Sequence, residues 1–258
     1  MCVTIIRAVR PTGSVPQWLA RLLALGGLLF FVDSLLYFVY KYVVVFGREA
    51  GGPVGSRAIA ADVTLFSVFA LHHSLFARDV FRKWISRMVG ALERSFYVWV
   101  ASALFIAVCA VWRPVAGVAW RVEAPWIVWL MVVPQVVGIW LTLRSASLID
   151  IRELSGVKQV DADAPRRVQK DPPYADAPIE FKTRGPYGWV RHPIYSGWLL
   201  IVFAVPVMTT TRLVFAITSS VYLLIAIPFE ERSLRRSSQG GYDRYMRQVR
   251  WKIVPGLY

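Results

Sequence analysis

In a chain of 258 residues, 56% of the side chains are hydrophobic, only 18% are charged and the mean hydropathy is +0.48. That balance excludes a soluble domain or pair of domains, because several apolar runs reach the roughly 20 residues a helix needs to cross a bilayer. The formal charge of +14 does not point to nucleic acid. In a polytopic helical chain, excess Lys and Arg follows from the positive-inside bias and from attraction to anionic lipid.

Cys2 and Cys109 are the cysteines of the sequence, which leaves no disulfide framework and no thiolate metal site. The basic start, with Arg7 and Arg10, precedes a long apolar stretch without a small-residue cleavage site, so it reads as an anchor. Span one is predicted from about Trp18 to Phe46 and carries Asp33 near its middle. An ionisable group at that depth points to a functional site or to a hydrogen bond with a neighbouring helix. Span two runs from about Ile59 to Phe76 and ends on His72 and His73. Span three covers about Phe96 to Trp112, where Pro114 stops it, and span four about Trp126 to Leu143, with a kink at Pro134. The polar stretch from Arg144 to Val190 is predicted to be a partly irregular water-exposed loop. Span five is placed at Ile194 to Met208, a turn at Thr209 to Arg212, span six at Leu213 to Phe229, and a polar, mostly helical tail follows.

With the N-terminus in the cytoplasm, the cytoplasmic segments carry 23 Lys and Arg against 5 on the other side. The asymmetry predicts six spans with both termini cytoplasmic. It also brings Arg191 and His192, before span five, to the side of Glu230 and Glu231, after span six. The expected fold is all-α, a polytopic helical membrane protein forming one integrated domain. Its parts are a four-span bundle over 1–143, a cytoplasmic loop over 144–190, and a hairpin and tail over 191–258 that form a cytoplasmic site.

Metal chemistry is poorly supported by the residues. His72 and His73 project about 100° apart on a helix and do not chelate one ion. His192 is the third and last histidine. Ser196, four residues after His192 and across a proline, defines no triad. Gly185-Pro186-Tyr187-Gly188 and Gly240-Gly241 lack phosphate-loop spacing. A zwitterionic, cationic ligand fits better. Arg191 and His192 suit a carboxylate or hydroxyl. Glu230 and Glu231 suit an ammonium or ribose hydroxyls, and Tyr187, Tyr195, Tyr242 and Tyr245 could offer ring faces to a cation.

Arg191-His192-Pro193-Ile194-Tyr195-Ser196-Gly197, then Glu230-Glu231 with Leu234, Tyr242-x-x-Tyr245, Val249 and Pro255, form an ordered set around the two-run hairpin. In this the chain resembles the membrane-embedded methyltransferases that include the isoprenylcysteine carboxyl methyltransferases and phospholipid N-methyltransferases. The resemblance implies S-adenosylmethionine bound at the cytoplasmic face, with His192, Tyr195, Glu230 and Glu231 as cofactor positions. Tyr187 and Tyr242 join them on the cation reading. A narrower resemblance rests on His73-Ser74-x-x-Ala77-Arg78, Glu93-Arg94-Ser95-x-Tyr97-Val98, Trp112-Arg113-Pro114 and Gly156-x-Lys158-Gln159. These pieces look like the bacterial methanethiol S-methyltransferase group, which departs from this chain at Ile151 and at Arg152-Glu153. It implies a small thiol acceptor, with His73 on the acceptor side; the thiolate would be favoured electrostatically by Arg191 or by the sulfonium itself. Two other expectations stand beside it: a lipid or prenylcysteine-like hydrophobic acceptor, and a non-catalytic, transport-related protein of nitrogen-oxide metabolism. The expected partners are thus a small hydrophobic or thiol acceptor and membrane lipid, without nucleic acid. The expected location is the bacterial inner membrane.

Overall fold

The computed structural model describes residues 15–52, 55–76, 79–149, 155–162, 181 and 183–258, with the side chains of 79–83, 159 and 162 left aside. Among these residues, five helical segments are long and apolar enough to cross a membrane: Gln17–Val45, Ser56–Phe76, Trp84–Val111, Pro125–Ser147 and Thr210–Ser237. The protein is an all-α, polytopic integral membrane protein. Its described residues fall into two compact units, 15–117 with 155–162, and 118–149 with 181–258.

In the first unit, α1 (Gln17–Tyr40) continues through a π-helical turn at Lys41–Val45. α2 (Ser56–Phe76) follows, then α3 (Asp79–Val89) and α4 (Glu93–Val111), which are joined by a 3₁₀ turn at Gly90–Leu92. Gly90 makes that bend at φ +58°, a left-handed conformation that glycine adopts without steric cost. α1 lies close on α4 because Gly26 and Gly27 leave room for Trp99, whose ring atoms stand 3.1 Å from where a Cβ would be. Trp99 Nε1 donates to the Leu23 carbonyl at 2.9 Å, and its ring stacks on Phe30 at 4.9 Å. Small residues at the crossing and an aromatic that keeps its N–H bonded are what close helix packing in lipid requires. Asp33 stands on the exposed side of α1. α6 (Val157–Ala162) packs Val160 against Ala20 and Ala24, and Arg21 Nε meets Asp161 at 2.8 Å.

In the second unit, β1 (Val118–Arg121) precedes α5 (Pro125–Ser147), which runs through Pro134. α7 (Pro193–Phe203) follows, then β2 (Val207–Thr209), α8 (Thr210–Ser237) and α9 (Gly241–Gln248). Span four therefore groups with the C-terminal hairpin, whereas the sequence reading put it in an N-terminal bundle. The cause is a glycine contact between α5 and α7. A Cβ on Gly138 would stand 2.7 Å from the Gly197 carbonyl oxygen, and one on Gly197 would stand 2.6 Å from the Gly138 oxygen. Two bare backbones meeting this closely fix α5 to α7, and only glycine at both places permits it.

Span five also differs from its expectation. α7 has 11 residues and is therefore about 16 Å long, well short of the roughly 30 Å hydrocarbon core. The chain then runs extended, and β2 pairs antiparallel with β1. Val122 N–H donates to the Pro206 carbonyl and Trp120 Nε1 to the Val205 carbonyl, both at 2.9 Å. Pro206 has no N–H to offer a helix, and the ribbon supplies partners for the freed backbone groups. Residues 193–209 thus join an 11-residue helix to a three-residue strand, where α8 after them is one helix of 28 residues.

Candidate active site

The site forms where α7 begins and α8 passes Glu230. His192 occupies the N-cap position of α7, with Pro193 in its first turn, where a missing N–H costs nothing. Arg191 and His192 are buried at 8% and 6% exposure. Arg191 Nε donates to Glu231 Oε1 at 2.8 Å, and its Nη1 donates to the carbonyls of Val249 and Arg250 at 3.0 and 2.6 Å. His192 Nε2 lies 3.2 Å from the same Oε1, which also accepts from the Tyr242 hydroxyl at 3.3 Å. One carboxylate oxygen thereby gathers a guanidinium, an imidazole and a phenol.

Glu230 has a different neighbourhood. Its Oε2 accepts from the Tyr195 hydroxyl at 2.8 Å and stands 3.7 Å from His192 Nδ1, with the side chain 31% exposed. The His192 ring is therefore bracketed by two carboxylates, and it lies nearly parallel to Tyr195 at 5.2 Å and 13°. Consecutive residues on a helix project about 100° apart, so Glu231 is buried, with its side chain 11% exposed, and Glu230 is only partly covered.

An aromatic wall adjoins the carboxylates. Phe181 meets Tyr242 edge-on at 5.1 Å and stacks on Tyr245 at 5.7 Å. The Tyr245 hydroxyl donates to the Tyr187 carbonyl at 2.8 Å, tying α9 to the 3₁₀ turn Gly185–Gly188. Burial pushes the Tyr187 phenol up to about 12, and the Glu230 carboxylate adds to the rise. Burial likewise raises Tyr242 and Tyr245. All three stay neutral and hold their protons at any working pH.

The structure thus brings Tyr187, Arg191, His192, Tyr195, Glu230, Glu231 and Tyr242 into one unit of the molecule. His73 belongs to the other unit. Its Nδ1 shares a hydrogen bond of 2.8 Å with the Tyr97 hydroxyl, and Arg94 lies over the Tyr97 ring at 5.0 Å. Two motif pieces some sixty residues apart also meet there. Ser95 Oγ donates to the Ser155 carbonyl at 3.2 Å, and Gly156, at φ +88°, leaves no room for a Cβ against Ser95. Ala77, Arg78, Ile151, Arg152 and Glu153 lie outside the described residues.

Sequence reasoning missed what the tail does. The carbonyls of Val249, Arg250, Trp251, Lys252 and Ile253 bond to Arg191, His192 and Ser196. Any residue supplies a carbonyl, so no side-chain signal marks that segment. Phe181, a large apolar residue in a mostly polar stretch, was legible in principle as a side chain seeking a partner.

No family model matches the sequence, and no solved structure matches it. Among known proteins, the chain is 33% identical over 237 residues to the methanethiol S-methyltransferase of Pseudomonas sp. (strain GM41(2012)), covering 87% of this chain and 88% of the relative. It is 34% identical over 208 residues to the methanethiol S-methyltransferase of Mycobacterium tuberculosis, covering 76% and 78%. It is also 31% identical over 183 residues to nurim of Sus scrofa, covering 69% and 68%. With about a third of its residues shared over nearly nine tenths of both lengths in the first of these pairs, the chain belongs to the membrane methyltransferase family that contains the methanethiol S-methyltransferases.

Proposed function

We propose that the protein methylates the sulfur of a small thiol, methanethiol being the first candidate, with S-adenosylmethionine as donor. One observation carries the reading: two adjacent glutamates at the end of an apolar hairpin, held in different settings by Arg191, His192, Tyr195 and Tyr242. The donor set suits the cofactor. Glu230, partly exposed and already accepting from Tyr195, would take its ribose hydroxyls or ammonium. The half-buried ring of Tyr187 suits a sulfonium, whereas Tyr242, buried against Phe181, serves through its hydroxyl on Glu231. The cofactor supplies an electrophilic methyl group. The chain aligns the thiol with it, and such alignment is a large source of acceleration.

Arg191 acts here as a fixed charge behind Glu231, since its Nε and Nη1 are already engaged within the fold. With Arg191 balanced by Glu231, the positive charge that favours a thiolate over a thiol of ordinary pKa about 8.5 is that of the sulfonium itself. His73, carried over from the narrower resemblance, is assigned to the acceptor side. The excess of Lys and Arg on one side of the spans supports a carboxylate end at the cytoplasmic face of an inner membrane.

A second reading has its own observation. A groove of about 410 Å³ on the hairpin is lined by Leu199, Leu224, Ile253, Val254 and Tyr258, and it suits a larger hydrophobic acceptor. Incubation of the purified protein with methyl-labelled cofactor and a panel of thiols and lipids separates the two. Volatile labelled sulfide supports the thiol reading, and label in the lipid fraction supports the second. Absence of both binding and transfer refutes a methyltransferase.

A further inference from the structure

We infer that the C-terminal loop, residues 249–258, is a clamp that positions Arg191 and His192 against Glu231 and is held shut by the main-chain oxygen of Tyr258. Only the identity of the ligand rests on the proposed function. Five successive carbonyls of the loop turn toward one short segment. Val249 and Arg250 accept from Arg191 Nη1 at 3.0 and 2.6 Å. Trp251 accepts from the Arg191 N–H at 2.9 Å and Lys252 from the His192 N–H at 2.8 Å. Ile253 accepts from Ser196 Oγ at 2.6 Å.

A segment that faces its carbonyls one way must satisfy its N–H groups elsewhere. Here the N–H groups of Lys252, Ile253 and Val254 converge on the Tyr258 main-chain oxygen at 2.8, 2.8 and 3.1 Å. Successive N–H groups in such a concavity form a ready donor nest for one oxygen. Gly256, at φ +84°, permits the reversal that returns the chain to them. Lys252 Nζ reinforces the closure, 3.0 Å from the Tyr258 hydroxyl and 4.1 Å from its ring centre. Ile253 and Val249 are buried beneath.

The consequence reaches the carboxylates. Without the loop, Arg191 retains Nε on Glu231 but loses both anchors of Nη1, so the guanidinium is free to pivot. His192 loses the bond that sets its backbone at the N-cap. Both side chains lie within 3.2 Å of Glu231 Oε1, and both distances depend on the loop.

Two readouts on the full-length protein in detergent test this: amide hydrogen exchange over residues 187–197, and affinity for S-adenosylmethionine. In a chain lacking residues 255–258, exchange over 187–197 rises about tenfold or more while 130–146 in α5 stays protected. Affinity falls about tenfold in the same variant. Ser196→Ala moves both readouts in the same direction by less, and Ser196→Thr restores them. Unchanged exchange over 187–197 overturns the clamp. Faster exchange with unchanged affinity overturns its positioning role. If the deletion also exposes α5, the Ser196 pair decides by the same readouts. If the intact chain takes up no cofactor, the proposed function falls, and exchange alone decides whether the loop holds Arg191 and His192.

Discussion

Arg191 and Glu231, forty residues apart in sequence, meet at 2.8 Å with side chains only 5% and 11% exposed. The pair joins the start of α7 to the end of the apolar part of α8, and the same guanidinium holds two tail carbonyls. Breaking a buried pair by removing one partner leaves the other charge uncompensated, at a cost of about 3–5 kcal/mol. Arg191→Met should therefore lower the thermal unfolding midpoint of the purified protein clearly. Arg191→Lys should recover little, because an ammonium lacks the planar fork that reaches three acceptors. A midpoint unchanged in both variants would show the pair to be incidental.

Glu230 and Glu231 should separate binding from stability. Glu230→Gln loses a charge that is partly exposed and bonded to Tyr195, so cofactor affinity should fall about tenfold while the unfolding midpoint holds. Glu231→Gln weakens three internal contacts at once, so affinity and midpoint should fall together. Calorimetric titration and thermal melts on the two variants check this. The opposite pattern would reverse the roles of the two carboxylates.

Gly197→Ala should be the more damaging of two single-methyl additions, one in the hairpin and one between α1 and α2. Its Cβ would stand 2.6 Å from the Gly138 oxygen and would have to push α5 off α7. Overpacking of this kind costs about 1–3 kcal/mol. Gly51→Ala, with nothing within 4 Å, should be silent. The yield of folded protein and the melting midpoint measure both. Equal behaviour of the two variants would dismiss the close α5–α7 contact.

Topology can be read with reporters. Arg191 and Glu231 stand at the same end of the hairpin, and α8 runs 28 residues between its termini, so residues 193–209 must cross as well. Reporter fusions after Ser56 and after Tyr258 should then report opposite sides of the membrane. The same side for both would mean that α7 and β2 dip in and return.

His73→Ala should lower methyl transfer and leave cofactor affinity within about threefold, the pattern of a contact made to the acceptor or transition state. His72→Ala should do much less. Tyr97→Phe should fall between them, since it removes the hydroxyl bonded to His73 and keeps the ring. Collapse of cofactor binding in His73→Ala would refute its assignment to the acceptor side.

By itself the sequence determined the membrane class, the approximate positions of the five long apolar helices and the residues that gather at the carboxylates. These follow from composition, run length and the placement of charges at the ends of apolar runs, all of which are local properties. Arg191, His192, Glu230 and Glu231 were legible because ionisable groups at such borders stand out. Only the tertiary structure decided the rest. It made span five a short helix followed by a ribbon strand, because the pairing partner β1 of the segment after Pro206 lies far away in sequence. It grouped α5 with the hairpin through Gly138 and Gly197, whose contact is a matter of missing atoms. It also gave Glu231 three internal partners and left Glu230 partly exposed beside Tyr195, since neighbours on a helix look alike in sequence and differ only in what packs against each. The tail carbonyls that hold Arg191 belong to this second kind, because every residue carries one and folding alone selects which are used.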